Sequence, residues 1–167
     1  MRDVTYVVPY EENATIKKII FENGMTLDLF PNVQEILYLY RQCEITASEA
    51  GGLLLGYENA INGNFTLSTI TEPQITDVRT RFSLFLGNLH QKTAKKLKPP
   101  YGYIGTWHTH PSSIPSPSNT DLCDWEKCIK KNRNSTSALI FIIAGTEGYR
   151  IWAYCSKNKK LYEGKII

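Results

Sequence analysis

Three features of the sequence predict an α+β fold with mixed strands and helices. Hairpin turns sit between strand-like runs, amphipathic segments at helical spacing separate those runs, and Ala138 to Ala144 is a wholly apolar stretch with the length of a buried strand. The elements are interspersed, with hairpins at several joints, so a strict βαβ repeat does not describe the order. A chain of 167 residues, 42% of them hydrophobic, suits one domain over residues 1–167 with a sizeable core.

Taken in order, Ile16 to Phe21 and Met25 to Leu29 flank Glu22-Asn23-Gly24, whose Asn-Gly pair supplies the positive backbone angles of a tight turn. Pro31 stops that hairpin. Val33, Ile36, Leu37, Leu39, Tyr40 and Cys43 recur at helical spacing, which predicts a helix ending near Thr46. Gly51-Gly52 are expected to break the chain before a short buried strand, Leu53-Leu54-Leu55. Asn62-Gly63 marks a second hairpin, with Phe65 to Thr71 returning as a strand. Ser83 to Lys98 reads as a helix ended by Pro99-Pro100, because proline lacks a backbone donor and restricts its neighbour. Tyr101 to Thr109 alternates like a strand. After a loop rich in proline and serine, Ser118 stands where a helix N-cap belongs, ahead of Leu122, Trp125, Cys128 and Ile129. Ala138 to Ala144, Tyr149 to Cys155 and Leu161 to Ile167 are the expected closing strands.

Composition excludes several classes. A net charge of +3 lacks the basic excess of a dedicated nucleic-acid binder. No apolar run is long enough to span a bilayer, and Met1 to Glu12 mixes charged and polar residues unlike a signal peptide. Cys43, Cys123, Cys128 and Cys155 form no C-x-x-C pair. They read as reduced thiols, mostly packed as small apolar groups, in a cytoplasmic protein.

The segment from Trp107 to Asp121 carries the chemistry. His108 and His110, one residue apart on a strand, point to the same face, so both imidazoles can reach one ion. Asp121, in the first turn of the following helix, is well placed as a third ligand, and the helix dipole favours a carboxylate there. Two imidazoles and one carboxylate describe a catalytic zinc site with a fourth position open for water. Such a site also needs a carboxylate to take the water's proton. Spacing alone does not select it among the acidic residues.

His108-x-His110-Pro111 followed by Ser118 and Asp121 resembles the H-x-H-x7-S-x2-D motif of the JAB/MPN metalloproteases, the JAMM type. Upstream, Glu49-Ala50-Gly51-Gly52-Leu53-Leu54-Leu55-Gly56 is similar to the segment that supplies that family's general base. The resemblance covers roughly Pro31 to Cys155 and implies the JAB/MPN, cytidine deaminase-like fold: a central curved mixed sheet flanked by helices. It implies one Zn²⁺ per chain held by His108, His110 and Asp121, Glu49 as the base for the attacking water, and Ser118 as donor to the oxyanion or the scissile carbonyl. The implied reaction is hydrolysis after the C-terminal residue of ubiquitin or a ubiquitin-like modifier, whose extended tail can add as a strand beside a sheet edge. The compact length resembles bacterial stand-alone members encoded beside E1- and E2-like enzymes in antiphage systems of the CBASS type. The implied partners are a modifier tail and its conjugated target, with a CD-NTase or an E1/E2-like enzyme as candidates.

Other residues have plainer readings. Ser118 can serve only as a helix cap, although a serine can accept from the cap and still donate to an oxyanion. His90, outside the motif, reads as a surface or packing residue, and Trp107 and Trp125 as core walls beside the metal site. The lysine- and arginine-rich runs at 95–98, 130–133 and 157–160 read as solvated faces. Arg79 and Arg81, between the two motif blocks, are candidates for substrate recognition. Three other functions stay open: a non-catalytic scaffold of the same fold, a RadC-like nucleic-acid-linked protein, and a metallohydrolase acting on a small amide, since the same zinc-water could attack any accessible carbonyl. All five motif residues are present, which argues against the scaffold. The modest charge argues against nucleic acid.

Overall fold

The computed structural model describes residues 6–167; Met1 to Thr5, part of the stretch read for a leader, lie outside them. In chain order the elements are β1 (Val8–Pro9), β2 (Lys17–Ile20), β3 (Thr26–Leu29), α1 (Pro31–Leu39), β4 (Gly51–Glu58), β5 (Phe65–Ile70), β6 (Val78–Arg79), β7 (Leu84–Phe85), α2 (Leu89–Lys95), β8 (Gly102–Thr109), α3 (Asn119–Asn132), β9 (Ala138–Ala144), β10 (Gly148–Cys155), β11 (Lys160–Glu163) and β12 (Lys165–Ile166). The main sheet runs β1-β10-β9-β8-β4-β5-β3-β2-β12, with β11 also on β10. The β3–β5 and β8–β9 pairings are parallel and the others antiparallel, as the expected mixed sheet requires.

The sheet curls almost into a barrel. β11 pairs with β10 near one end of the strand order and β12 pairs with β2 at the other, yet only Gly164 separates them. A Cβ on Gly164 would lie 2.4 Å from Ile19 and 2.8 Å from the Phe21 ring, so only glycine fits the seam. This splits the single strand expected over Leu161 to Ile167. Inside the curl lie Leu27, Leu54, Leu67, Trp107, Ile140 and Ile142, all essentially inaccessible. A second cluster forms on the outer face, where Trp125 of α3 stacks on Phe141 at 4.7 Å and lies 5.2 Å from Trp152. β9 therefore buries both faces, which is why it is a continuous apolar run without alternation.

Four further expectations are corrected. α1 stops at Leu39 instead of near Thr46, because the chain must turn Gln42, 1% exposed, into the interior. Gly51 and Gly52 begin β4 and do not break it; a Cβ on either would meet the Trp107 or Thr71 carbonyl oxygen within 2.5 Å, so the glycines serve close strand packing. Residues 83–88 are not helical. Leu84–Phe85 pairs with Val78–Arg79 in a small separate hairpin, and α2 begins only at Leu89. The cysteines are all free, as expected, but Cys43 and Cys123 are exposed and not packed inside. Among the described residues, no helix is long and apolar enough to cross a membrane.

Candidate metal centre and cleft

β8 carries His108, and His110 follows one residue past the strand's end. His108 and His110 project from the same face of the strand and its continuation, with their Nε2 atoms 3.2 Å apart. Asp121 reaches them from the first turn of α3: Oδ1 lies 3.1 Å from His108 Nε2 and Oδ2 lies 3.0 Å from His110 Nε2. Bonds of 2.0–2.1 Å to a tetrahedral ion would separate the donor atoms by about 3.3 Å. The three donors thus already sit near three corners of such a tetrahedron, and the residues fit zinc.

Several bonds bring α3 back to the strand. His110 N donates to the Ala144 carbonyl (2.9 Å) and Thr146 N to that of Ser112 (2.9 Å). Arg150 holds the intervening loop through the Pro115 carbonyl (2.8 Å) and Ser116 Oγ (3.2 Å), while its other nitrogens grip Glu163 at 2.6 and 2.8 Å. Ser118 caps α3 as expected. Its Oγ accepts from Asp121 N at 3.0 Å, and its own N donates to Asp121 Oδ2 at 2.8 Å. The Ser118 hydroxyl proton has no part in that box. Burial alone would raise the Asp121 carboxyl, but the hydrogen bonds to His108 and His110, the charge of His108 and the Ser118 backbone donor outweigh it, holding the group well below the usual carboxylate range.

Glu49 enters from the segment before β4. Ala50 N donates to Thr109 Oγ1 (2.9 Å), Thr109 N donates to the Ala50 carbonyl (2.9 Å), and Gly51 lies opposite His108. That register sets Glu49 beside the three converging side chains, and it lines the same cleft as His108, His110 and Asp121. Burial raises its carboxyl above the ordinary range; His108 and His110 pull it back, while Asp121 and Asp124 push it further up. A raised carboxylate near a metal cleft is a suitable base. All five motif residues therefore come together.

Arg79 and Arg81 bond to the backbone. Arg79 Nε donates to the Glu49 carbonyl at 2.8 Å, and Arg81 reaches the carbonyls of Glu44 and Ile45 at 2.9 and 2.8 Å. Arg79 thus holds the base segment, while Arg81 lines the larger cavity of about 500 Å³ with Phe82, Leu84 and Ser118.

Gln42 and Thr109 were not legible as site residues. Thr109 lies between the two histidines but, by strand alternation, points to the opposite face. Its Oγ1 donates to Gln42 Oε1 (2.8 Å), and Gln42 Nε2 donates to the carbonyls of Arg81 (2.8 Å) and Ala47 (3.2 Å). One buried amide thus fastens β8, the segment before β4 and the hairpin together. No local sequence pattern could reveal a partnership across 67 positions. Replacing Gln42 with Leu strands these groups, each at a cost of about 1–3 kcal/mol. Urea denaturation should show that loss, and kcat should fall with zinc content retained.

Residues 33–155 match the family described as prokaryotic homologues of the JAB domain. The chain belongs to this family. It is 34% identical over 133 residues to a CD-NTase/cGAS isopeptidase of Escherichia coli, covering 77% of this chain and 81% of that protein. It is 27% identical to a Vibrio cholerae protein of the same description, with the same coverage. A solved protein of Desulfitobacterium hafniense shares the fold, with a TM-score of 0.55 at 20% identity over 83% of this chain and 90% of that one. The curled mixed sheet with its helices is thus the α+β JAB/MPN fold.

Proposed function

We propose that this chain is a zinc-dependent isopeptidase of the JAMM type. It would remove a ubiquitin-like modifier from a conjugated CD-NTase or E1/E2-like protein in the cytoplasm, in antiphage defence. The observation that carries this reading is the convergence of His108, His110 and Asp121 on one point, with the Glu49 carboxyl in the same cleft. The isopeptidase relatives support the substrate class.

A zinc ion held by these three residues would polarise a carbonyl and acidify water. Glu49 takes the proton of the attacking water and returns it to the departing amine. The Ser118 hydroxyl, already accepting from Asp121 N, keeps its proton for the developing oxyanion. The hairpin beside the cleft presents Phe82 and Phe85 to solvent, with Val78 and Ile75 nearby, an apolar surface that suits a protein substrate and not a small amide. The free edge of β7 suits an extended tail.

The test uses a ubiquitin-like modifier joined through its terminal carboxyl to a lysine side chain of a CD-NTase, incubated with purified protein and zinc. Release of the intact CD-NTase on a denaturing gel, stopped by a chelator, is the expected result. A conjugate left whole over a range of enzyme concentrations would sink the reading.

A further inference from the structure

A second hydrogen-bonded cluster lies outside the metal centre. Asp77, His90 and Thr71 form a chain: Thr71 Oγ1 is 2.6 Å from His90 Nδ1, and His90 Nε2 is 2.9 Å from both oxygens of Asp77. The His90 and Asp77 side chains are 1% and 0% exposed, so His90 is neither a surface residue nor mere packing. The order hydroxyl, imidazole, carboxylate resembles a nucleophilic triad. Thr71 cannot serve as one, because it is buried and its Oγ1 accepts from Leu53 N at 2.8 Å. The carboxylate orders the protons: an ionised Asp77 can only accept, so His90 Nε2–H donates to it, and with one proton on the ring the bare Nδ1 accepts from the Thr71 hydroxyl.

Each end of the chain is tied to a different part of the molecule. Thr71 belongs to the catalytic strands: its carbonyl accepts from Trp107 Nε1 (2.9 Å), next to His108, and it presses on Gly52, where any Cβ would lie 2.4 Å from its oxygens. Asp77 belongs to the hairpin. Its carboxylate accepts from Gln74 N and Gly87 N, both at 2.8 Å, which closes the loop on either side of β6 and β7. Burial would raise this carboxyl, but those two donors and His90 hold it lowered.

The hairpin needs such a fastening. Only two residue pairs join its strands, and it has no partner in the main sheet. A ribbon that short is not stable alone in water. Its outward side chains Val78, Phe82 and Phe85 are exposed, so burial of these does not hold it either. At its tip, Glu49 N donates to the Thr80 carbonyl (2.7 Å) and Gln42 to that of Arg81. At its base there is the Asp77 chain. Between them, residues 81–85 form one wall of the larger cavity.

We propose that Asp77, His90 and Thr71 form a latch that positions the β6–β7 hairpin as a wall of the substrate groove, governing substrate binding and not metal binding or the chemical step. The kinetic part rests on the hydrolase reading above; the structural part does not. His90→Phe keeps the ring shape and removes both nitrogens, and Thr71→Val removes the hydroxyl. Each should raise KM by about tenfold, with kcat within about twofold and zinc content as in the wild type. Amide hydrogen exchange should quicken across residues 74–90. Thr71→Ser restores the hydroxyl and should behave as wild type, so the Thr71 pair decides the matter if His90→Phe fails to fold. Nitrogen–proton correlation spectra of the wild type should show His90 protonated at Nε2 and bare at Nδ1. An unchanged KM in Thr71→Val, a parallel loss of kcat and zinc, or a proton on Nδ1 would overturn the latch. If no conjugate is cleaved by any form, the hydrolase reading fails, and the exchange and tautomer measurements still decide the structural part: unchanged exchange at residues 74–90 overturns it.

Discussion

Glu49→Gln is expected to lower kcat by about 10²–10⁴ while the protein keeps its zinc and its fold. The substitution preserves size and one acceptor oxygen but cannot take a proton. Glu49 is not among the three converging ligand residues, so metal content should not change. Its backbone partners, Arg79 Nε and the Thr80 carbonyl, are untouched by a side-chain change. The pH profile carries the same information with a definite sign. Catalysis needs the deprotonated carboxylate, and burial raises the Glu49 carboxyl, so it protonates at a higher pH than an exposed glutamate. Activity should therefore fall as pH drops through the Glu49 titration. Asp124 pushes Glu49 up by like-charge repulsion, so Asp124→Asn should shift this acid limb downward. An acid limb that ignores Asp124 and persists in Glu49→Gln would assign the base elsewhere.

The convergence of His108, His110 and Asp121 was legible in the sequence because two strong periodicities meet there. Strand alternation puts His108 and His110 on one face, and the N-cap at Ser118 fixes where α3 begins and so where Asp121 points. Glu49 was not selected by spacing, since its position depends on β4 lying against β8, a pairing more than fifty residues apart. It came only with the family resemblance. The elements that failed share one cause: tertiary contacts overrode local pattern. The helical reading of residues 83–88 lost to the hairpin held by Asp77 and Gly87, and the chain-breaking reading of Gly51-Gly52 lost to the space demanded by Trp107 and Thr71. His90 shows the limit most clearly. Its neighbours in sequence gave no sign of partners, which come from residues 13 and 19 positions away.

Removing the metal site should have the other large effect, and the structure says which residue to change. His108→Ala deletes one donor of three and leaves the helix cap intact, so zinc per chain, measured by elemental mass spectrometry, should fall from about one to near zero, and cleavage with it. Asp121→Ala is a poorer choice. Asp121 also accepts from Ser118 N to close the capping box, so its loss adds about 1 kcal/mol of helix destabilisation to the loss of the ligand. The two variants should therefore differ in degree: both without zinc, with Asp121→Ala the less stable because it loses the cap as well as the bonds to both imidazoles. Zinc itself should stabilise the wild type by about 2.7 kcal/mol at a hundredfold excess over its dissociation constant, which raises Tm by about 5–10 °C for a chain of this size. His108→Ala should show no such rise. Acid should weaken the effect, because both imidazoles must be neutral to bind and protons compete for the same Nε2 atoms. A wild type whose Tm is indifferent to zinc would leave His108, His110 and Asp121 as a hydrogen-bonded cluster and remove the basis of the hydrolase reading.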